Sequence, residues 1–75
     1  MSVQTEIDLK GLWPPVCLLQ CKKILNEVMP GDVICVCLQD RETVKDLELI
    51  IARSKDNIIK QQKEMDTYRI YIQKG

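Results

Sequence analysis

The 75-residue sequence has no histidine and no phenylalanine, and its 11 Lys+Arg balance 11 Asp+Glu residues. Without histidine, the commonest general base and a common metal ligand are missing. Zero formal net charge argues against a mainly electrostatic partner such as bare nucleic acid or an anionic membrane. The aromatic residues are Trp13, Tyr68 and Tyr71, which are too few for a base-stacking platform. We therefore expect no direct binding to nucleic acid.

Long apolar runs are also missing from the sequence. The N-terminus lacks the apolar stretch of a signal peptide, and no segment has the length of a membrane span. We expect a cytoplasmic monomer that has no membrane partner. In that reducing compartment, Cys17, Cys21, Cys35 and Cys37 are expected as buried or reactive thiols rather than disulfides. The length predicts one domain over residues 1–75, with an ordered core over about 5–74.

The first part of the chain is typical of a strand followed by a helix. Thr5–Leu9 alternates between polar and apolar residues, as a half-buried strand does. Gly11 ends the strand, and Pro15 suits the first helical position because its missing N–H needs no partner there. The helix is predicted to run to about Val28. Its predicted buried face consists of Cys17, Cys21, Ile24, Leu25 and Val28.

A second strand and helix are predicted in the middle of the chain. Asp32–Leu38 is a continuous apolar run, which indicates a central strand. The strand exposes one of two sets to the open sheet face, either Ile34, Val36 and Leu38 or Val33, Cys35 and Cys37. Asp40 or Thr43 caps the next helix, and Thr43 with Asp46 has capping-box spacing. The apolar stripe of that helix is predicted to contain Val44, Leu47, Ile50 and Ile51.

The last part of the chain predicts two further strands. Asn57–Met65 is polar and contains two lysines, which suit a sheet edge because their charge discourages further pairing. Asp66 marks a turn, and the next strand alternates with Tyr68, Ile70 and Ile72 on one face. The order βαβαββ predicts an α+β protein. It would be a two-layer α/β sandwich with both helices on one face of a four-stranded mixed sheet.

Short motifs with consistent spacing run along almost the whole chain. They are Asp8-x-x-Gly11, Gly31-Asp32, Gln39-Asp40 followed by Thr43-x-x-Asp46-Leu47, and Ile72-x-Lys74. In this ordered set the chain resembles the TusA (SirA-like) family of small sulfur-carrier proteins. The resemblance implies the βαβαββ sandwich. It also implies a role in carrying persulfide sulfur from cysteine desulfurases to acceptors, for example in thiolation of transfer RNA.

The family's Cys-Pro-x-Pro motif, at the start of the first helix, is altered in this chain. A thiol there feels the positive end of the helix dipole, which stabilises the thiolate. The aligned residues are Pro14-Pro15-Val16-Cys17, so Pro14 stands at the sulfur-carrying position. The resemblance therefore implies a family member without the usual catalytic cysteine. Sulfurtransferase activity would require Cys17 to substitute. The alternative is a non-catalytic binding or regulatory module on the same fold.

Cys17 is the candidate catalytic residue, displaced by three positions. Its Cα would lie about 4.5 Å further along the helix and be rotated by about 60° relative to the motif position. The helix dipole could still lower its pKa, but its spacing with Cys21 and Leu25 places it on the apolar face, where burial raises a thiol's pKa. We therefore favour a packing role for Cys17 over a nucleophilic one. The spacing of all four cysteines is not that of a zinc knuckle or ribbon, and no metal or cofactor is expected.

The expected partner surface consists of Gly11, Leu12, Trp13, Pro14 and Pro15, and the open sheet face is the alternative. Trp13 is expected to pack on Leu18 as a hydrophobic staple, and the alternative is an exposed anchor for a protein partner. Such a partner would be a cysteine desulfurase or another sulfur-relay protein. Pro14 provides no side-chain cap, so the amides of Val16 and Cys17 are expected to be free for water or a small anion.

Overall fold

A computed structural model describes residues 3–75 as one sheet with two helices. The elements are β1 (Val3–Asp8), α1 (Val16–Glu27), β2 (Val33–Leu38), α2 (Arg41–Ala52), β3 (Asn57–Glu64) and β4 (Thr67–Gln73). This order confirms the predicted α+β sandwich with its βαβαββ connectivity. Positions 1 and 2 of the expected domain lie outside the described residues. Within residues 3–75, no helix combines the length and apolar character needed to cross a bilayer.

The strand order in the sheet is β1-β2-β4-β3. Strand β1 pairs with β2 in parallel, whereas β2 with β4 and β3 with β4 are antiparallel pairs. The sheet is therefore mixed, as predicted. The polar strand β3 lies at an edge, where its lysines discourage pairing with another chain.

The sheet face under the helices holds the core. Ile34, Val36 and Leu38 of β2 and Ile70 and Ile72 of β4 are 0–2% exposed and pack with buried residues of both helices. Burying each such side chain contributes roughly 1.5–3 kcal/mol to folding. This packing shows which of the two alternative sets of β2 residues faces the helices. The other set, Val33, Cys35 and Cys37, lies on the face away from the helices.

Both helices contact this core through stripes that the sequence predicts well. Helix α1 buries Cys17, Cys21 and Leu25, while Ile24 and Val28 are partly buried against the same core. Helix α2 buries a stripe of Thr43, Val44, Leu47 and Ile51, and Ile50 is only half-buried. The two helices therefore share one face of the sheet.

The start of α2 differs from one of the predicted alternatives. Asp40 is the N-cap, and its Oδ1 accepts a hydrogen bond from the Glu42 amide at 3.1 Å. Thr43 is a buried residue inside the helix, and its hydroxyl donates to Asp40 Oδ2 at 3.4 Å. The predicted capping box of Thr43 with Asp46 is therefore wrong. The helix begins at Arg41, three residues before the start that this box would require.

We expect Asp40→Ala to lower the free energy of unfolding by about 1 kcal/mol, because the first turn of α2 loses its side-chain acceptor. Asp46→Ala is the matched control, and it should change stability by less than about 0.5 kcal/mol. Urea unfolding followed by circular dichroism measures both values. A larger loss for Asp46→Ala than for Asp40→Ala would contradict this capping assignment.

Candidate functional site

The loop between β1 and α1 begins with a tight turn that the family-like residues Asp8 and Gly11 build. Asp8 Oδ1 accepts a hydrogen bond from the Lys10 amide at 2.9 Å, and the Leu12 amide donates to the Leu9 carbonyl at 3.3 Å. Gly11 has a φ of +88°, in the left-handed region where glycine lacks the strain of other residues. This turn fixes the direction in which the chain enters the helix.

Helix α1 begins one residue later than predicted. Pro15 is the N-cap rather than the first helical residue, and no side chain caps the helix. The amides of Val16 and Cys17 donate to the Trp13 carbonyl, at 2.8 Å and 3.4 Å. The expectation that these amides are free for water or an anion is therefore wrong, because a backbone carbonyl of the preceding loop occupies them.

An apolar surface lies around this helix start. It consists of Leu12, Trp13, Val16 and Leu19, which are 44%, 79%, 47% and 61% exposed, together with the exposed Pro14 and Pro15. We call it the helix-start surface. Because Trp13 is mostly exposed, it does not form the hydrophobic staple with Leu18. Sequence reasoning missed Val16 and Leu19, although Trp13, Val16 and Leu19 follow one another at intervals of three residues, which is the available signal.

A cleft of about 170 Å³ adjoins the helix-start surface. One wall is the loop from Gly11 to Pro14, and the other is formed by Leu38, Gln39 and Asp40 at the junction of β2 with α2. Two of the sequence motifs, which lie far apart in the chain, therefore meet here. The cleft is small, and Asp40 is one of its lining residues.

The Cys17 thiol does not lie on the helix-start surface. Cys17 is 1% exposed and belongs to the core between helices and sheet. Burial raises the pKa of the Cys17 thiol, and the nearby N–H groups of Leu18 and Cys17 oppose that rise only in part. Burial also raises the pKa of Cys21 to about 12. Both thiols are therefore protonated at neutral pH and covered by the fold.

Cys35 and Cys37 lie on the opposite face of the sheet, so the sheet separates them from Cys17 and Cys21. They are 2% and 5% exposed, and side chains of neighbouring strands cover them. Glu6 Oε1 lies 3.9 Å from the Cys37 sulfur and 2.6 Å from Arg69 Nη1. Burial raises the pKa of Cys37, and the Arg69 charge opposes this effect. Sequence reasoning missed this grouping because it depends on strand register.

A larger cavity of about 430 Å³ lies away from the helix start, between α1, the end of α2 and the end of β4. Its wall contains four cationic residues, Lys22, Arg53, Lys55 and Lys74, and also Asp56. Asp56 Oδ1 lies 3.9 Å from Lys74 Nζ and accepts a hydrogen bond from the Gly75 amide at 2.8 Å. Because none of the motif residues at the helix start lines this cavity, it is not the candidate site.

Comparison with known proteins gives a consistent result. Residues 5–74 match the family described as Sulfurtransferase TusA. The chain is 30% identical over its full length to YrkI of Bacillus subtilis, a provisionally named sulfur carrier that it covers completely. It is 29% identical to the sulfur carrier protein TusA of Allochromatium vinosum, over 93% of this chain and 92% of that one.

A solved structure has the same fold. It is the SirA-like protein of Desulfitobacterium hafniense, with a TM-score of 0.75 and 20% identity over 95% of this chain and 97% of that one. The agreement covers nearly all of both chains. It therefore extends to the whole sandwich rather than to one motif.

We expect the thiols on the two sheet faces to react at different rates with a thiol reagent such as iodoacetamide. Cys17 and Cys21 should be labelled only as fast as the protein unfolds, because helices cover them and burial raises their pKa values. Cys35 and Cys37 should react faster, because side-chain motion alone uncovers them. Peptide mapping by mass spectrometry, with a denatured sample as control, measures each rate. Rapid native labelling of Cys17 would contradict this assignment.

Proposed function

The chain belongs to the TusA sulfurtransferase family, and from that premise we propose that it acts in sulfur relay as a protein-binding member. In this proposal the start of α1 carries no persulfide. The supporting observation is the position of the thiols. The resemblance implies that Pro14 stands at the family's cysteine position, and Cys17, the nearest thiol in sequence, is 1% exposed. A partner that reaches the helix start would meet prolines and an indole, which accept no sulfur.

The binding role rests on the helix-start surface. Exposed tryptophans are common energetic anchors of protein interfaces, and Trp13 is 79% exposed. Pro14 restricts Trp13 to extended backbone conformations, and the Trp13 carbonyl is fixed by two amides of α1. The Trp13 backbone is therefore already ordered, so binding costs little further backbone conformational entropy. We propose a cysteine desulfurase or another sulfur-relay protein as the partner, encountered in the cytoplasm.

A displaced nucleophile at Cys17 is the second candidate. It is favoured by the N–H groups of Leu18 and Cys17, which lie close enough to the thiol to lower its pKa. Burial opposes this effect and is the larger influence. Sulfur transfer through Cys17 would require α1 to move away from the sheet, which would expose the core residues that it covers.

We expect wild-type protein to take up no sulfur from a cysteine desulfurase, and Pro14→Cys to gain a persulfide. The new thiol would lie at an exposed helix start, where the positive end of the dipole favours the thiolate. Intact-protein mass spectrometry after incubation with a desulfurase and cysteine measures the added sulfur. Val16→Cys, which adds a thiol on the same surface away from the motif position, is the matched control.

Sulfur on wild-type Cys17, lost in Cys17→Ala, would replace this proposal with the second candidate. Sulfur on neither the wild type nor Pro14→Cys would contradict the idea that the cysteine alone is missing from a working site.

We expect Trp13→Ala to weaken binding to the cysteine desulfurase of the source organism by about tenfold or more, as truncation of an anchor tryptophan does. Leu49→Ala is the matched control, because Leu49 is an apolar residue of α2 that is 61% exposed and lies outside the helix-start surface. Calorimetric titration measures both affinities. Equal affinities for the two variants would exclude Trp13 as the anchor.

A further inference from the structure

We propose that Glu6, Cys35 and Cys37 form a binding site for a thiophilic divalent cation such as zinc. The site lies on the sheet face away from the helices. One carboxylate oxygen and two sulfur atoms lie within 4.8 Å of one another, and this is the one group of this kind within residues 3–75. The site is distinct from the helix-start surface and does not depend on the proposed function.

The strand register brings these three donors together. Cys35 and Cys37 are two residues apart in β2, so their side chains point to the same face of the sheet. Glu6 of β1 is the register partner of Cys35 in the parallel pair, so its carboxylate lies on that same face. The donors therefore project from two adjacent, paired strands. Rigid elements of this kind hold ligands more precisely than loops do.

The spacing is close to that of a tetrahedral zinc site. With Zn–S of about 2.3 Å and Zn–O of about 2.0–2.2 Å, donor atoms around zinc lie about 3.5–3.8 Å apart. The Cys37 sulfur and Glu6 Oε1 are 3.9 Å apart, and no pair exceeds 4.8 Å. Side-chain rotations that shift donors by about 1 Å would complete the geometry.

Arg69 supports the arrangement from the neighbouring strand β4. Its Nη1 lies 2.6 Å from Glu6 Oε1 and holds the carboxylate over the thiols. Cys37 is the register partner of Arg69, so the guanidinium lies beside the donors. Two thiolates and a carboxylate carry three negative charges. A divalent cation neutralises two of them and Arg69 the third, so the occupied site would be electrically balanced.

The donor set selects the class of metal. Two thiolates favour soft or borderline ions such as zinc and cadmium, whereas magnesium and calcium require oxygen ligands. Three protein donors leave a fourth position for water or a small ligand, as in open zinc sites. A metal ion can reach the three donors after side-chain movement alone, because the side chains of Glu6 and Arg69 are 58% and 32% exposed.

Binding is a ligand exchange without oxidation or reduction. Two Zn–S bonds and one Zn–O bond form, zinc releases coordinated water, and the Cys35 and Cys37 thiols each release a proton to the buffer. The reaction therefore releases two protons for each zinc ion bound when both thiols start protonated.

Zinc binding is measured on the full chain, reduced with a phosphine. We expect one zinc ion per chain by native mass spectrometry, with proton release in calorimetry. Cadmium should give a sulfur-to-metal charge-transfer band in the ultraviolet. Cys35→Ser and Cys37→Ser should each abolish saturable binding and the band. Glu6→Gln should weaken zinc binding by at least tenfold while the cadmium–sulfur band remains.

The matched controls remove the same chemical groups elsewhere in the fold. Cys17→Ala deletes a thiol on the helix side of the sheet, and Glu27→Gln neutralises an exposed carboxylate at the end of α1. Both should bind zinc as the wild type does. Absence of one-to-one binding, binding that survives loss of Cys35 and Cys37 together, or full affinity in Glu6→Gln would each overturn the proposal. Glu6→Gln alters only an exposed side chain, so it remains informative if a cysteine variant fails to fold.

Discussion

The packing of both helices against one face of the sheet is the constraint on which the other features depend. Strands β2 and β4 form the centre of the sheet, and their branched side chains fill the space beneath α1 and α2. A chain of this size has no second core. The sheet therefore separates the cysteines into two pairs. A helix covers Cys17 and Cys21, whereas only side chains of neighbouring strands cover Cys35 and Cys37.

The side of the sheet on which a cysteine lies determines what its thiol can do. Cys17 and Cys21 complete the stripe of α1, where burial favours the neutral thiol. Cys35 and Cys37 occur on a strand that is buried along its whole length, yet they face the side without helices. There the Glu6 carboxylate and the Arg69 guanidinium lie beside them. The same residue type consequently acts as core packing on one face and as a potential ligand on the other.

The start of α1 keeps the local structure that the family-like residues form. Asp8 and Gly11 form the turn, and the Trp13 carbonyl accepts hydrogen bonds from the first two amides of the helix. An exposed apolar surface that contains Trp13 surrounds this helix start. The proposed binding role rests on this surface and does not require a thiol there.

The sequence by itself determined the elements, their order and the family, because hydrophobic periodicity and motif spacing are local properties of the chain. It also predicts that Pro14 stands at the motif's cysteine position. Only the tertiary structure decided which face of β2 meets the helices, since an uninterrupted apolar run carries no alternation. Burial of Cys17, exposure of Trp13 and the meeting of Glu6 with Cys35 and Cys37 likewise depend on packing and register. Those are relations between distant segments, which no local pattern in the chain specifies.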